Sequence, residues 1–142
     1  MTGDEIEQVV RRELSTWAMY RPRDEVIVHE LASGRWFIGY QLRRATNWEV
    51  NIEGDVFYLL SIRLSLDLRG SGLGSQLYGV IERIAAAAGC HRIQQTPSGW
   101  VRTGETRMDY LKRRGWLVCD NEVEVYKDLS PGLIRLVSEA SA

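Results

Sequence analysis

The sequence predicts an α/β domain built on a mixed, mostly antiparallel twisted sheet flanked by helices. Three observations carry this reading. Segments of helical and of strand periodicity follow one another as helix, strands, helix, strand, helix, hairpin. A glycine-rich turn joins the longest apolar strand to the helix that follows it. The 142 residues, 44% hydrophobic and 26% charged, suit one core and one domain over residues 1–142.

The elements follow in order. Ile6, Val9, Val10, Leu14, Trp17 and Ala18 recur near a 3.6-residue period, which predicts an amphipathic helix over 3–20. Asp4 and Glu5 suit its positive end, and Arg21-Pro22-Arg23 stops it. Residues 25–31 and 36–42 read as strands joined at Ser33-Gly34, a hairpin. Residues 48–52 form a third strand that closes at Glu53-Gly54-Asp55. Residues 56–66 form a long fourth strand. In it Ser61, Arg63 and Ser65 alternate with Leu60, Ile62, Leu64 and Leu66, so one face meets a core and the other something polar.

A helix is expected over 73–88, with Leu77, Val80, Ile81, Ile84 and Ala88 inward and Gly89 at its C-terminus. Residues 90–95 form a short strand and 96–99 a turn. The next helix starts at Thr103 or Gly104, faces the core with Met108 and Leu111, and ends at Gly115. A hairpin of 116–119 and 122–127 turns at Asp120-Asn121, and a tail from Pro131 makes one helical turn or two. Terminal hairpin and tail together are a candidate pairing surface for a homodimer.

The turn reads Leu68-Arg69-Gly70-Ser71-Gly72-Leu73-Gly74-Ser75. Glycines have no side chain to bury. Here they suit a tight bend whose bare N–H groups, at a helix N-terminus, can receive phosphate. The spacing is G-x-G-x-G, not the G-x-G-x-x-G of dinucleotide sites. Ser75-Gln76 stands where a nucleoside-triphosphate loop has Lys-Ser/Thr. From the residues alone, a phosphate site and a plain connector both stand.

Arg69-x-x-Gly72-x-Gly74 resembles the R/Q-x-x-G-x-G/A signature of the GNAT family of N-acetyltransferases. The resemblance extends upstream to the strand over 59–68, and downstream to Tyr110-Leu111-Lys112-Arg113-Arg114-Gly115-Trp116 and Glu124 to Leu129. It implies the acyl-CoA N-acyltransferase (GNAT-like) fold and transfer of an acetyl group from acetyl-CoA to a primary amine by direct attack. The acceptor would be a small amine, a protein amine, an antibiotic or a modified nucleotide. A non-catalytic acyl-CoA-binding module of the same fold is the alternative.

The resemblance also implies roles. Arg69, Gly70, Ser71, Gly72, Leu73, Gly74 and Ser75 would hold the pyrophosphate. The backbone of Ile62, Arg63 and Leu64 would pair with the amides of the coenzyme arm, and the N–H near Leu64 would receive the oxyanion. Tyr110 is the candidate general acid, although the family phenol lies four residues before the glycine, where this chain has Leu111. Gln94 and Gln95 occupy the strand where some relatives carry a catalytic Glu, and a carboxamide takes no proton there. Candidate bases are Glu49, Glu53, Asp55, His29 and Glu30. Trp36, Tyr40, Trp48, Tyr58 and Trp100 are candidates to line an acceptor pocket, with core packing as the plain reading for each. The acidic residues among these would favour a cationic amine.

Composition narrows the remaining classes. A net charge of −1 gives no support for bulk nucleic-acid binding. No apolar run approaches the length of a membrane span, and the acidic N-terminus lacks the order of a signal peptide, so the cytoplasm is the expected location. Two histidines, His29 and His91, and two well-separated cysteines make no metal spacing, so no metal is expected. Cys90 and Cys119 are expected to be buried reduced thiols.

Overall fold

The computed structural model describes residues 1–43, 46–63, 72–101 and 104–140. In chain order the elements are α1 (Gly3–Leu14), β1 (Glu25–Ala32), β2 (Arg35–Arg43), β3 (Thr46–Glu53), β4 (Val56–Arg63) and α2 (Leu73–Ala87). They continue with β5 (Arg92–Gln95), α3 (Arg107–Arg113), β6 (Leu117–Val118), β7 (Val125–Asp128) and α4 (Pro131–Ala140).

The strands form one seven-stranded sheet in the order β1-β2-β3-β4-β5-β7-β6. All neighbours are antiparallel except β4 and β5, which run parallel because α2 crosses between them. The mixed, mostly antiparallel sheet flanked by helices is thus the fold that the order of periodicities predicts.

Strand alternation sorts the two faces. Val26, Ile38, Tyr40, Trp48, Val50, Ile52, Phe57, Leu59, Ile93 and Val125 are buried in the main core. On the opposite face Glu25, His29, Arg35, Gln41, Glu49 and Glu53 are exposed. From α1 the core receives Ile6, Val10 and Leu14, and from α2 Leu77, Val80, Ile81 and Ile84. Each such aliphatic side chain contributes about 1.5–3 kcal/mol by leaving water.

A buried carboxylate joins the two helices. Glu13 is 1% exposed and receives Arg83 Nε at 3.0 Å and Arg12 Nε at 3.4 Å.

Several boundaries differ from the sequence expectation. The first helix stops at Leu14, not at residue 20. Ser15 Oγ donates to Arg12 O at 2.5 Å and Thr16 Oγ1 to Glu13 O at 2.7 Å, so hydroxyls occupy the last carbonyls. Trp17 is still buried, and its Nε1 donates to Leu73 O at 3.3 Å.

The third helix starts at Arg107, three to four residues later than expected, because Thr106 caps it by accepting from Asp109 N–H at 3.1 Å. The tail is a ten-residue helix and not one or two turns. Ser130 Oγ accepts from Leu133 N–H at 3.0 Å to start it, and Val137 is fully buried in the core shared with α2. Cys90 is buried as expected, but Cys119 is only half-buried because it lies just beyond the short edge strand β6.

Candidate active site

The site begins where the parallel pair comes apart. β4 and β5 pair from Val56↔Arg92 to Leu59↔Gln95 and no further. β5 ends at Gln95, while β4 runs on through Leu60, Ser61, Ile62 and Arg63, paired among the described residues to β3 alone. The β5-facing edge of this half of β4 therefore presents backbone groups to an opening.

A bulge marks the same point. Glu49 faces Ser61 and Val50 faces Leu59, so Leu60 is an extra residue on β4. It is 58% exposed.

The connection that leaves the free end of β4 leads to the start of α2. Gly72 occupies the N-cap position at φ +82°, in the left-handed region, with no side chain capping the helix. Among the described residues, no atom lies within 4 Å of the position a Cβ would take there. Gln76 N–H bonds back to Gly72 O at 3.1 Å. The N–H groups of Leu73, Gly74 and Ser75 belong to the first turn, at the helix's positive end.

Of the residues singled out from sequence, Ile62 is half-buried and Arg63 exposed on the free half of β4. Gly72, Leu73, Gly74 and Ser75 form the first turn of α2. Leu64, Arg69, Gly70 and Ser71 lie outside the described residues.

The phenol of Tyr110, on α3, faces that first turn. Its hydroxyl lies 3.4 Å from Ser75 Oγ. The guanidinium groups of Arg113 and Arg114 lie 5.6 Å and 5.5 Å from its ring centre. Arg113 is also bound to Glu105 at 2.6 Å. Leu111, at the position of the family phenol, is 1% exposed and belongs to the core.

A second polar group sits at the inner end of the opening. Tyr78, one turn into α2, is 9% exposed, and its hydroxyl accepts from Arg107 Nη1 at 3.3 Å. Burial pushes the Tyr78 phenol up, while Arg107 and the facing Gln95 carboxamide pull it down. Gln95 itself is 5% exposed, and its Nε2 makes no hydrogen bond of good geometry. Its approach to Tyr78 is therefore a near contact and not a formed bond.

Other candidates fall elsewhere. Glu53 and Asp55 lie at the far end of β4 from the glycine turn. Glu53 binds Arg35 at 2.8 Å, and Asp55 O receives His91 N–H at 2.8 Å at the entry to β5. His29 and Glu30 are on the sheet's edge strand β1, four strands from β5. Glu49, opposite Ser61, is the acidic candidate that borders the bulge.

Trp36, Tyr40 and Trp48 are core residues at 8%, 2% and 0% exposure, so the plain reading holds for them. Tyr40 donates to Asp24 Oδ2 at 2.7 Å, and burial followed by that carboxylate raises its pKa. Tyr58 is half-buried between Asn51 and Gln94, and Trp100 is 71% exposed in the segment linking β5 to α3.

Tyr78 and Arg107 escaped the sequence reading. Tyr78 follows Leu77 on an apolar helix, and Arg107 stands in a run of charges, so neither breaks its local pattern. Their meeting depends on how α3 packs on α2.

Comparison with known proteins places this geometry. The model of the acetyltransferase (GNAT) family matches residues 6–115. Among solved structures, the fold is similar to a protein assigned to the GNAT family from Desulfovibrio desulfuricans, at 13% identity and TM-score 0.52, covering 92% of this chain and 95% of that one. It is also similar to a mutant of the toxin AtaT bound to the C-terminus of the antitoxin AtaR and acetyl-CoA, at 18% identity and TM-score 0.50, covering 71% of each chain. A third match is PaiA N-acetyltransferase from Thermoplasma acidophilum in complex with coenzyme A, at 17% identity and TM-score 0.49. That match covers 65% of this chain and spans 59% of the other. A search of curated sequences gives no match.

Proposed function

This chain belongs to the acetyltransferase (GNAT) family, and from that membership we propose that it moves an acetyl group from acetyl-CoA to the nitrogen of a primary amine by direct attack. The observation that carries the proposal is the parting of β4 from β5 after Leu59, in a strand whose connection leads to the uncapped start of α2. An extended arm bearing amides can pair with the free edge of a strand. A pyrophosphate suits the N-terminus of a helix. Here the two features lie at the ends of one connection, as a ligand carrying both groups requires.

The thioester supplies an acetyl group activated for attack; the chain must hold it, dock an amine and handle charge. Gly72 to Ser75, with Arg69, Gly70 and Ser71, receive the phosphates in this reading. The backbone of Ile62, Arg63 and Leu64 holds the arm. Tyr110 returns a proton to the departing thiolate. Glu49 beside the bulge favours an amine that arrives as a cation. Neither cysteine is needed, because the amine attacks without a covalent protein intermediate.

A second reading is a non-catalytic acyl-CoA-binding module. Leu111 at the family phenol's position, and Gln94 and Gln95 where some relatives have a carboxylate, favour it.

Calorimetry with acetyl-CoA, followed by thiol release across a panel of amines, tests both. The transferase reading expects binding and amine-dependent thiol release. Binding with no release from any amine leaves the module, and absence of binding overturns both.

A further inference from the structure

We propose that the Gln95 carboxamide, at the inner end of the β4–β5 opening beside the Tyr78–Arg107 pair, is a donor to the acyl carbonyl oxygen of the bound thioester. The proposal rests on the transferase reading above and assigns to that site a side chain from β5.

The position comes from the register. Leu59↔Gln95 is the last pair before the strands part. A coenzyme whose pyrophosphate lies at the first turn of α2, and whose arm follows β4 inward from Arg63 toward Leu60, brings its acyl end to this vertex. Gln95 is the β5 residue there.

The chemistry comes from an unmet donor. Gln95 is 5% exposed, and its buried Nε2, which approaches the Tyr78 hydroxyl, makes no hydrogen bond of good geometry. Buried donors are overwhelmingly paired, and leaving one unpaired is costly, so such a group calls for a partner. Trp48 Nε1 and Asn51 Oδ1 are also buried without partners, but both belong to β3, across β4 from the opening. Arg12 Nη2 is on α1. Among these atoms only Gln95 Nε2 belongs to a residue at the vertex.

Charge at the vertex agrees. Arg107 Nη1 donates to the Tyr78 hydroxyl at 3.3 Å, and its Nε donates to Ser98 O at 3.3 Å. Arg107 thereby brings a positive charge to the same inner end. In the reaction the amine nitrogen bonds to the thioester carbon, and the carbon–oxygen π electrons move onto oxygen. The carbonyl then re-forms as the carbon–sulfur bond breaks. The sulfur leaves with that bond's electron pair and is protonated, and the nitrogen gives up a proton. Negative charge builds on the carbonyl oxygen and then on sulfur. A water-excluded amide donor and a nearby guanidinium favour both. Gln95 touches the reacting oxygen in this scheme; Tyr78 and Arg107 flank it and supply the nearby charge.

Infrared difference spectra of bound acetyl-CoA, isotopically labelled at the acetyl carbonyl, read the hydrogen bond directly. The wild-type protein should lower the carbonyl stretch, and Gln95→Met should return it toward the value of a carbonyl without that donor. The Met variant should keep its affinity for free coenzyme A, and its kcat should fall about 10²-fold with little change in KM for acetyl-CoA. Gln95→Asn keeps a buried amide but withdraws it by one carbon, and it gives the same spectral test should the Met variant not fold. An equal carbonyl stretch in wild type and variant, with acetyl-CoA bound to both, overturns this inference alone. Failure of the wild type to bind acetyl-CoA overturns the transferase reading and this inference with it.

Discussion

Tyr110 and Tyr78 show how position separates two phenols of one chemistry. Tyr110 is half-buried, lies against Ser75 at the first turn of α2, and has two guanidinium groups beside its ring. Tyr78 is buried at the inner end and already accepts from Arg107. A proton donor must reach the departing sulfur and regain its proton from solvent. The more open Tyr110 meets the second demand better. Tyr110→Phe removes the proton and leaves the ring, its packing and the flanking arginines in place. We expect kcat for thiol release to drop about 100-fold with acetyl-CoA affinity retained. Full turnover in this variant would remove the role.

At the scale of elements, α2 links the fold to the site. Its first turn follows the connection from β4, its apolar face fills the core, and its middle is tied to α1 through Arg83 and Glu13. Glu13 is 1% exposed, so its carboxylate depends on the two guanidinium groups around it. Removing one partner of a buried pair leaves an uncompensated charge, whereas replacing both with apolar groups is often neutral. Arg83→Met should therefore cost about 3 kcal/mol in equilibrium denaturation, and adding Glu13→Leu should recover most of it. If the double variant is no more stable than the single one, Glu13 has other support.

For the molecule as a whole, buried acids set an alkaline limit. Burial, with Asp55 as a smaller cause, pushes the Cys90 thiol up to about 12 in the folded protein. In the unfolded chain a thiol titrates near about 8.5. Above that pH the unfolded state loses a proton that the folded state keeps, so unfolding is favoured as pH rises. The stability tied to Cys90 is complete below about 8.5 and is lost progressively as pH climbs toward about 12. Tyr40, raised by burial and by Asp24, acts in the same direction above about 10. Melting temperature should fall steadily over this range, and more shallowly in Cys90→Ala. Parallel slopes for the two proteins would contradict the assignment.

Local pattern was enough to determine the kind and order of the elements, the inward face of α2, and the glycine at its N-cap. Each depends on neighbours a few residues apart, and periodicity records them. The extent of α1 was misread because the hydroxyls of Ser15 and Thr16 compete with a ladder that the apolar spacing continues through Trp17. The length of α4 was underestimated because its burial comes from packing against α2. Only the tertiary structure decided which side chains meet at the site. Glu53 and Glu49 lie on one strand, yet one sits at the far turn and the other beside the bulge. Gln95, Tyr78 and Arg107 come from three elements, and their meeting follows from where the parallel strands part and how α3 lies on α2. Such contacts join residues distant in sequence, which no local spacing encodes.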